Sequence, residues 1–202
     1  MNNDKKNTDT CPAIILSAGL SERMGKPKAL LRWSRSASFI EKIINEFCSF
    51  NCNPVLCVIN KLIEPECRKM KVPASVRFII NDQPESGRFY SVRTGIKEVK
   101  ESDFCFIHNV DNPFVNRDII RMLYECRETG AWCSPVYQGR GGHPVLISSS
   151  IIRAITDTHD LGTTLADILN SYPRRNVDAA DDTILRNINT QEDFNYYLGL
   201  PG

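Results

Sequence analysis
Through its first 130 residues the chain alternates short apolar runs with segments whose apolar residues recur at helical spacing. Few architectures satisfy that order. The runs are PAIIL (12–16), PVLCVI (54–59), SVRFII (75–80) and DFCFIH (103–108). They are strand-length, and largely continuous apolar runs are what a parallel sheet covered on both faces requires. Between the first two, SFIEKIINEFCS (38–49) puts Phe39, Ile40, Ile43, Ile44 and Phe47 at helical spacing, with Ser38 as the N-cap. Further helices are expected over 63–70, 90–99 and 116–129. The pattern predicts a three-layer α/β domain around a mostly parallel, Rossmann-like central sheet. Beyond residue 130 it predicts strands near 131–137, 143–147 and 175–178 and helices at 149–156, 162–170 and 190–198. GRGGHP (139–144) reads as a flexible turn suited to a hairpin. Residues 1–10, MNNDKKNTDT, read as a disordered lead-in, and 11–202 as a single domain.

A net charge of +1 supplies no field for nucleic acid or an anionic membrane surface. No apolar run approaches the roughly 20 residues needed to cross a bilayer. The polar N-terminus lacks the apolar core of a signal peptide, so a cytoplasmic location is expected. None of the eight cysteines has C-x-x-C spacing. They read as small buried hydrophobes in a reducing compartment.

In a parallel sheet the ligand sits beyond the carboxyl ends of the strands, so the loops after the strands matter most. SAGLSERMGKPK follows the first run, NDQPESGRFYSV the third and NVDNPF the fourth. The first resembles a P-loop but fails its count. Five residues separate Gly19 from Gly25 where the P-loop has four, and Pro27 stands where a Ser or Thr would hold magnesium. What remains is an extended glycine loop with Arg23, Lys26 and Lys28, suited to wrapping an anion. A solvated basic loop is the plain alternative. Asp111 follows a buried strand, where a carboxylate can bind Mg²⁺ beside phosphate oxygens. It can equally open the turn before Pro113. Arg88 and Ser91 sit in the third loop, and Ser91 can cap the next helix. His143, one of three histidines, is read as structural or as a site residue. No Ser-His-Asp order or activated cysteine is evident. That suits phosphoryl-type transfer, which asks for positioning and charge neutralisation.

LSAGLSERMGKPKALL closely resembles the signature L-[AG]-[AG]-G-x-S-x-R-M-G-x-P-K-x-L-L of the MobA-like nucleotidyltransferases, most of all the molybdenum cofactor cytidylyltransferases. NVDNPFV, GRGGHPVLIS, DLGTTLADIL and NINTQEDF resemble the family's later blocks, in order, across about residues 12 to 197. The resemblance implies a nucleotide-diphospho-sugar-transferase (GT-A-like) fold. It implies transfer of a nucleoside monophosphate from an NTP to a phosphate-bearing acceptor, with molybdopterin the expected one and pyrophosphate released. By position, backbone from Leu16 through Ser17 and Ala18 to Gly19 would cradle base and ribose. Arg23 and Lys28 would hold the triphosphate. Asp111 would bind Mg²⁺, and Gly142 and His143 would face the acceptor. SGRFYSVRTGI also resembles a segment of the methylerythritol-phosphate cytidylyltransferases, which brings Arg88 and Ser91 to the nucleotide. Ser17-Ala18-Gly19 resembles the A-A-G form associated with CTP, so CTP is favoured, with GTP open. Asn187 stands where many relatives carry an aspartate that serves as a second metal ligand. The glycine usual before Asp111 is missing, and Gln191 replaces a proline. Molybdoenzyme maturation proteins are candidate partners. A cytidylyltransferase for a small sugar or polyol phosphate, and a non-catalytic nucleotide-binding accessory protein, are the rival readings.

Overall fold
The computed structural model describes residues 10–21, 24–160 and 162–199. Arg23, and the expected lead-in apart from Thr10, lie outside the described residues. Four parallel strands form the heart of the sheet: β1 (Ala13–Ser17), β2 (Val55–Ile59), β3 (Val76–Ile80) and β4 (Phe104–Asn109), in the order β3-β2-β1-β4. β1 and β2 are buried at every position, which is why their sequences carry no polar alternation.

Helices cover both faces. α1 (Phe39–Ser49) starts in a capping box, Ser38 with Glu41, and turns the five predicted apolar residues inward. It packs with α4 (Arg117–Glu125) on the face that buries Ala13 and Ile15 of β1. On the opposite face, which buries Ile14, Leu16 and Ala18, lie α3 (Gly87–Ile96), α5 (Ser149–Asp157) and α6 (Leu165–Leu169). The three-layer α/β expectation therefore holds. A short α2 (Glu64–Cys67) follows β2, and α7 (Gln191–Leu198) starts from another capping box, Thr190 with Asp193.

Past β4 the sheet changes direction. β7 (Val145–Ser148) runs antiparallel to β4, and β5 (Trp132–Tyr137) antiparallel to β7. β8 (Arg174–Asp178) adds parallel to β5. The turn after β5 has two left-handed residues, Gln138 at φ 48° and Gly139 at φ 77°, and returns as β6 (Arg140–Gly141). β6 and β7 thus pair with the two ends of β5 as one strand broken at 142–144. At that break Gly142 lies against the Ile184 backbone. A β-carbon there would stand 2.3 Å from the Ile184 carbonyl oxygen, so only glycine fits.

Six cysteines are buried, and burial raises the thiols of Cys11, Cys57 and Cys105 well above their usual range. Among the described residues no helix is long and apolar enough to cross a membrane.

Candidate active site
A cleft of about 540 Å³ opens at the carboxyl edge of the parallel strands. Its floor is Leu16, Ala18 and Gly19 at the end of β1, with Asn109, Val110 and Asp111 at the end of β4. Gly87, Arg88 and Ser91 of α3 form one wall, and Lys28 and Asn189 face in from other segments. Three loops far apart in sequence therefore converge, as the strand order requires.

The glycine loop closes on itself. Ser21, at φ 55°, accepts the Lys28 backbone N–H on its hydroxyl at 3.2 Å. Pro27 holds an extended conformation and launches a single turn at Lys28–Leu30. That geometry brings Lys28 to the cleft, where its Nζ donates to Asn189 Oδ1 at 2.7 Å. Lys26 is exposed and does not line the cleft.

Buried asparagines brace the floor. Asn60, one residue past β2, donates through Nδ2 to the carbonyls of Ala18 at 3.0 Å and Gly19 at 3.4 Å. Its Oδ1 accepts the Ile63 N–H at 3.2 Å, so its amide orientation is fixed by a group that can only donate. Asn112 donates to the carbonyls of Thr183 and Ile184 at 3.2 and 3.0 Å. The Ile188 N–H donates to the Asp111 carbonyl at 2.7 Å. The backbone under Asp111 is pinned on both sides, while its Oδ1 is buried with no hydrogen-bond partner in the described structure. An orphaned buried carboxylate oxygen bordering a cleft is the donor a divalent cation would satisfy.

Leu16, Ala18, Gly19, Lys28, Arg88, Ser91 and Asp111 all line the cleft. The side chain of Ser17 does not. Strand residues alternate, so it points to the other face, buried and unpartnered. Gly142 and His143 are also absent from the lining. Gly142 is committed to its contact with Ile184, and His143 stands behind Asn109, with Nε2 2.8 Å from the Asn109 amide. Asn187 is exposed and away from the cleft. Ile188 is the residue tied to Asp111, and the chain then turns into the cap of α7, so Asn189 reaches the cleft instead. Ser91 does not cap α3, which begins at Gly87. That residue sits at φ 85°, a conformation natural to glycine. The sequence reading missed Asn60, Asn109 and Asn189. The signal for the last was present, since N-I-N-T offers two asparagines to one position.

Burial lowers His143 to about 4, with Asp111 raising and Arg88 further lowering it. Burial lowers His108 to about 3, and its Nε2 lies 2.8 Å from the Asn112 carbonyl. Both rings are neutral in the fold and titrate near 6.5 when unfolded, so in acid the unfolded chain binds more protons. Their contribution is whole above about pH 6.5 and falls as pH drops toward 4 and 3. Between pH 7 and pH 5 each histidine should cost about 2 kcal/mol of stability. Urea unfolding at the two pH values checks this, and equal stabilities would contradict it.

The domain model for "MobA-like NTP transferase domain" matches residues 13–176. The chain belongs to the MobA-like NTP transferase family. Its members are nucleotidyltransferases, and the family reading made from the glycine loop holds. The Escherichia coli K12 molybdenum cofactor cytidylyltransferase is 26% identical over 181 residues, covering 90% of this chain and 92% of that protein. A probable molybdenum cofactor guanylyltransferase of Rhodopirellula baltica is 26% identical, covering 89% and 88%. The structure of Rv0371c from Mycobacterium tuberculosis H37Rv superimposes with a TM-score of 0.82 at 17% identity, covering 96% of this chain and all of that one. A second structure of Rv0371c is a complex with manganese.

Proposed function
We propose that this NTP transferase moves a nucleoside monophosphate from CTP to the phosphate of molybdopterin, releasing pyrophosphate. The observation that carries the reading is the convergence of Lys28, Arg88 and the orphaned Asp111 carboxylate on one cleft of an NTP-transferase fold. Likeness to a cytidylyltransferase across nine-tenths of the chain favours CTP, and the guanylyltransferase relatives make GTP the comparison.

Base and ribose lie against Leu16, Ala18 and Gly19, whose path Asn60 holds. Ser91, also in the cleft lining, is assigned to the base. Lys28, steadied by Asn189, neutralises phosphate charge, and Arg88 brings a guanidinium fork to the other wall. Arg23, by its place in the glycine loop, joins them. An acceptor phosphate oxygen attacks the α-phosphorus, the α–β bridging P–O bond breaks, and pyrophosphate leaves. Positive charge fixed in advance stabilises the crowded phosphorus and the leaving group. Asp111 fits a divalent cation, for which Mg²⁺ is the expected ion. When bound, such an ion offsets charge on the phosphate oxygens. Manganese in the Rv0371c complex supports divalent-metal binding in this fold.

Thermal unfolding with CTP, GTP, ATP and UTP, each with and without Mg²⁺, tests the donor. A ligand that binds only the folded state stabilises by mass action, about 2.7 kcal/mol at 100 times its Kd. CTP with Mg²⁺ should raise the melting temperature most. Equal shifts for all four, or none, would contradict the reading.

A further inference from the structure
Asn81 follows β3 directly and is 1% exposed. Its backbone N–H donates to the Ile59 carbonyl at 2.7 Å, which fixes its place beside the end of β2. Its side chain connects two groups. Oδ1 accepts the Gln83 backbone N–H at 2.8 Å, and Nδ2 donates to Ser91 Oγ at 2.8 Å.

The polarity of this chain is determined. A backbone N–H can only donate, so the atom facing Gln83 must be the oxygen and the atom facing Ser91 must be the NH₂ group. Ser91 Oγ is therefore an acceptor on its inner side, and its one proton points elsewhere. Thr94 in the same helix turns its hydroxyl back to the Tyr90 carbonyl at 2.9 Å. Ser91 forms no such bond among the described residues. It is 6% exposed and lines the cleft.

The geometry points to Asn81 as a positioning residue for base recognition: it fills one lone pair of Ser91 Oγ and leaves the hydroxyl proton for an acceptor atom of the nucleobase at the cleft. This rests on the nucleotide reading of the cleft and deepens it. A free serine can donate or accept, and so tolerates either kind of base edge. With Asn81 filling one lone pair of Ser91 and no acceptor for its proton among the described residues, a base edge that offers an acceptor satisfies that proton, and a base edge bearing only N–H leaves it unmet.

Asn81→Asp tests this with almost no change in shape. One carboxylate oxygen still accepts from Gln83, and the other accepts the Ser91 proton, so Ser91 turns only lone pairs to the cleft. At pH 8, binding of CTP, GTP and magnesium pyrophosphate is measured by calorimetry for wild type, Asn81→Asp, Ser91→Ala and the double variant, with circular dichroism confirming the fold. Asn81→Asp should weaken the nucleotide that wild type prefers about 10- to 100-fold, the cost of an unmatched buried polar group. Pyrophosphate, which has no base, should bind Asn81→Asp as it binds wild type. That separates lost base recognition from simple repulsion by the new charge. Added to Ser91→Ala, Asn81→Asp should cost nothing further, because the two residues act as one unit. Undiminished nucleotide binding by Asn81→Asp, equal weakening of pyrophosphate, or full additivity would each overturn the inference. If Asn81→Asp does not fold, Ser91→Ala binding like wild type would overturn it. Wild type binding no nucleotide at all would instead overturn the nucleotide reading itself.

Discussion

Lys28→Ala should lower turnover about 100- to 1,000-fold while the fold persists, the loss typical of removing one fixed donor from developing charge. Lys28 is partly exposed, on a single turn launched by Pro27, and its ammonium reaches the cleft and Asn189. Its removal takes no apolar group from the core, so melting should change little. Lys26→Ala is the internal control. It occupies the apparent P-loop lysine position, yet it is exposed outside the cleft and should be nearly neutral. Steady-state pyrophosphate release from both variants checks the pair. Near-normal turnover in Lys28→Ala, or a loss in Lys26→Ala to match it, would contradict the assignment of the phosphate lysine.

Asp111→Asn should be as damaging for a different reason. The backbone at Asp111 is held by Ile188, and the neighbouring Asn112 holds the Ile184 segment, so the substitution leaves the frame in place. What disappears is negative charge on a carboxylate whose Oδ1 is buried without a partner. A drop of about 100-fold or more in turnover is expected, with saturation by divalent cation lost. Stability should not fall, since an unpaired buried oxygen is a cost in the folded state. A melting temperature well below wild type would mean that the carboxylate is structural.

The layers and most of the elements were legible in the sequence because buried parallel strands are short apolar runs and helix starts carry caps. Ser38, read as the N-cap of the first helix, does cap it, in a box with Glu41. The broken β6–β7 strand was less legible. Its interruption at Gly142 follows from a close approach to Ile184, 42 residues away in sequence. The same holds for Asn60, Asn81 and Asn109. A lone asparagine at or just past a strand end looks like any turn residue, and for Asn60 and Asn109 the partners are distant: Ala18 and Gly19, and His143. Alternation along β1 decides why Leu16 and Ala18 meet the cleft while the Ser17 side chain turns away. Asn187 was read as a second metal ligand from resemblance, but it is exposed and outside the cleft lining, which Asn189 joins instead.

The most direct test of the central claim is pyrophosphate release by the wild-type chain with CTP, Mg²⁺ and molybdopterin, with acceptor-free and GTP reactions alongside. The account predicts release that depends on the acceptor and is faster with CTP than with GTP. CTP binding without pyrophosphate release, across molybdopterin and a panel of sugar and polyol phosphates, would contradict it.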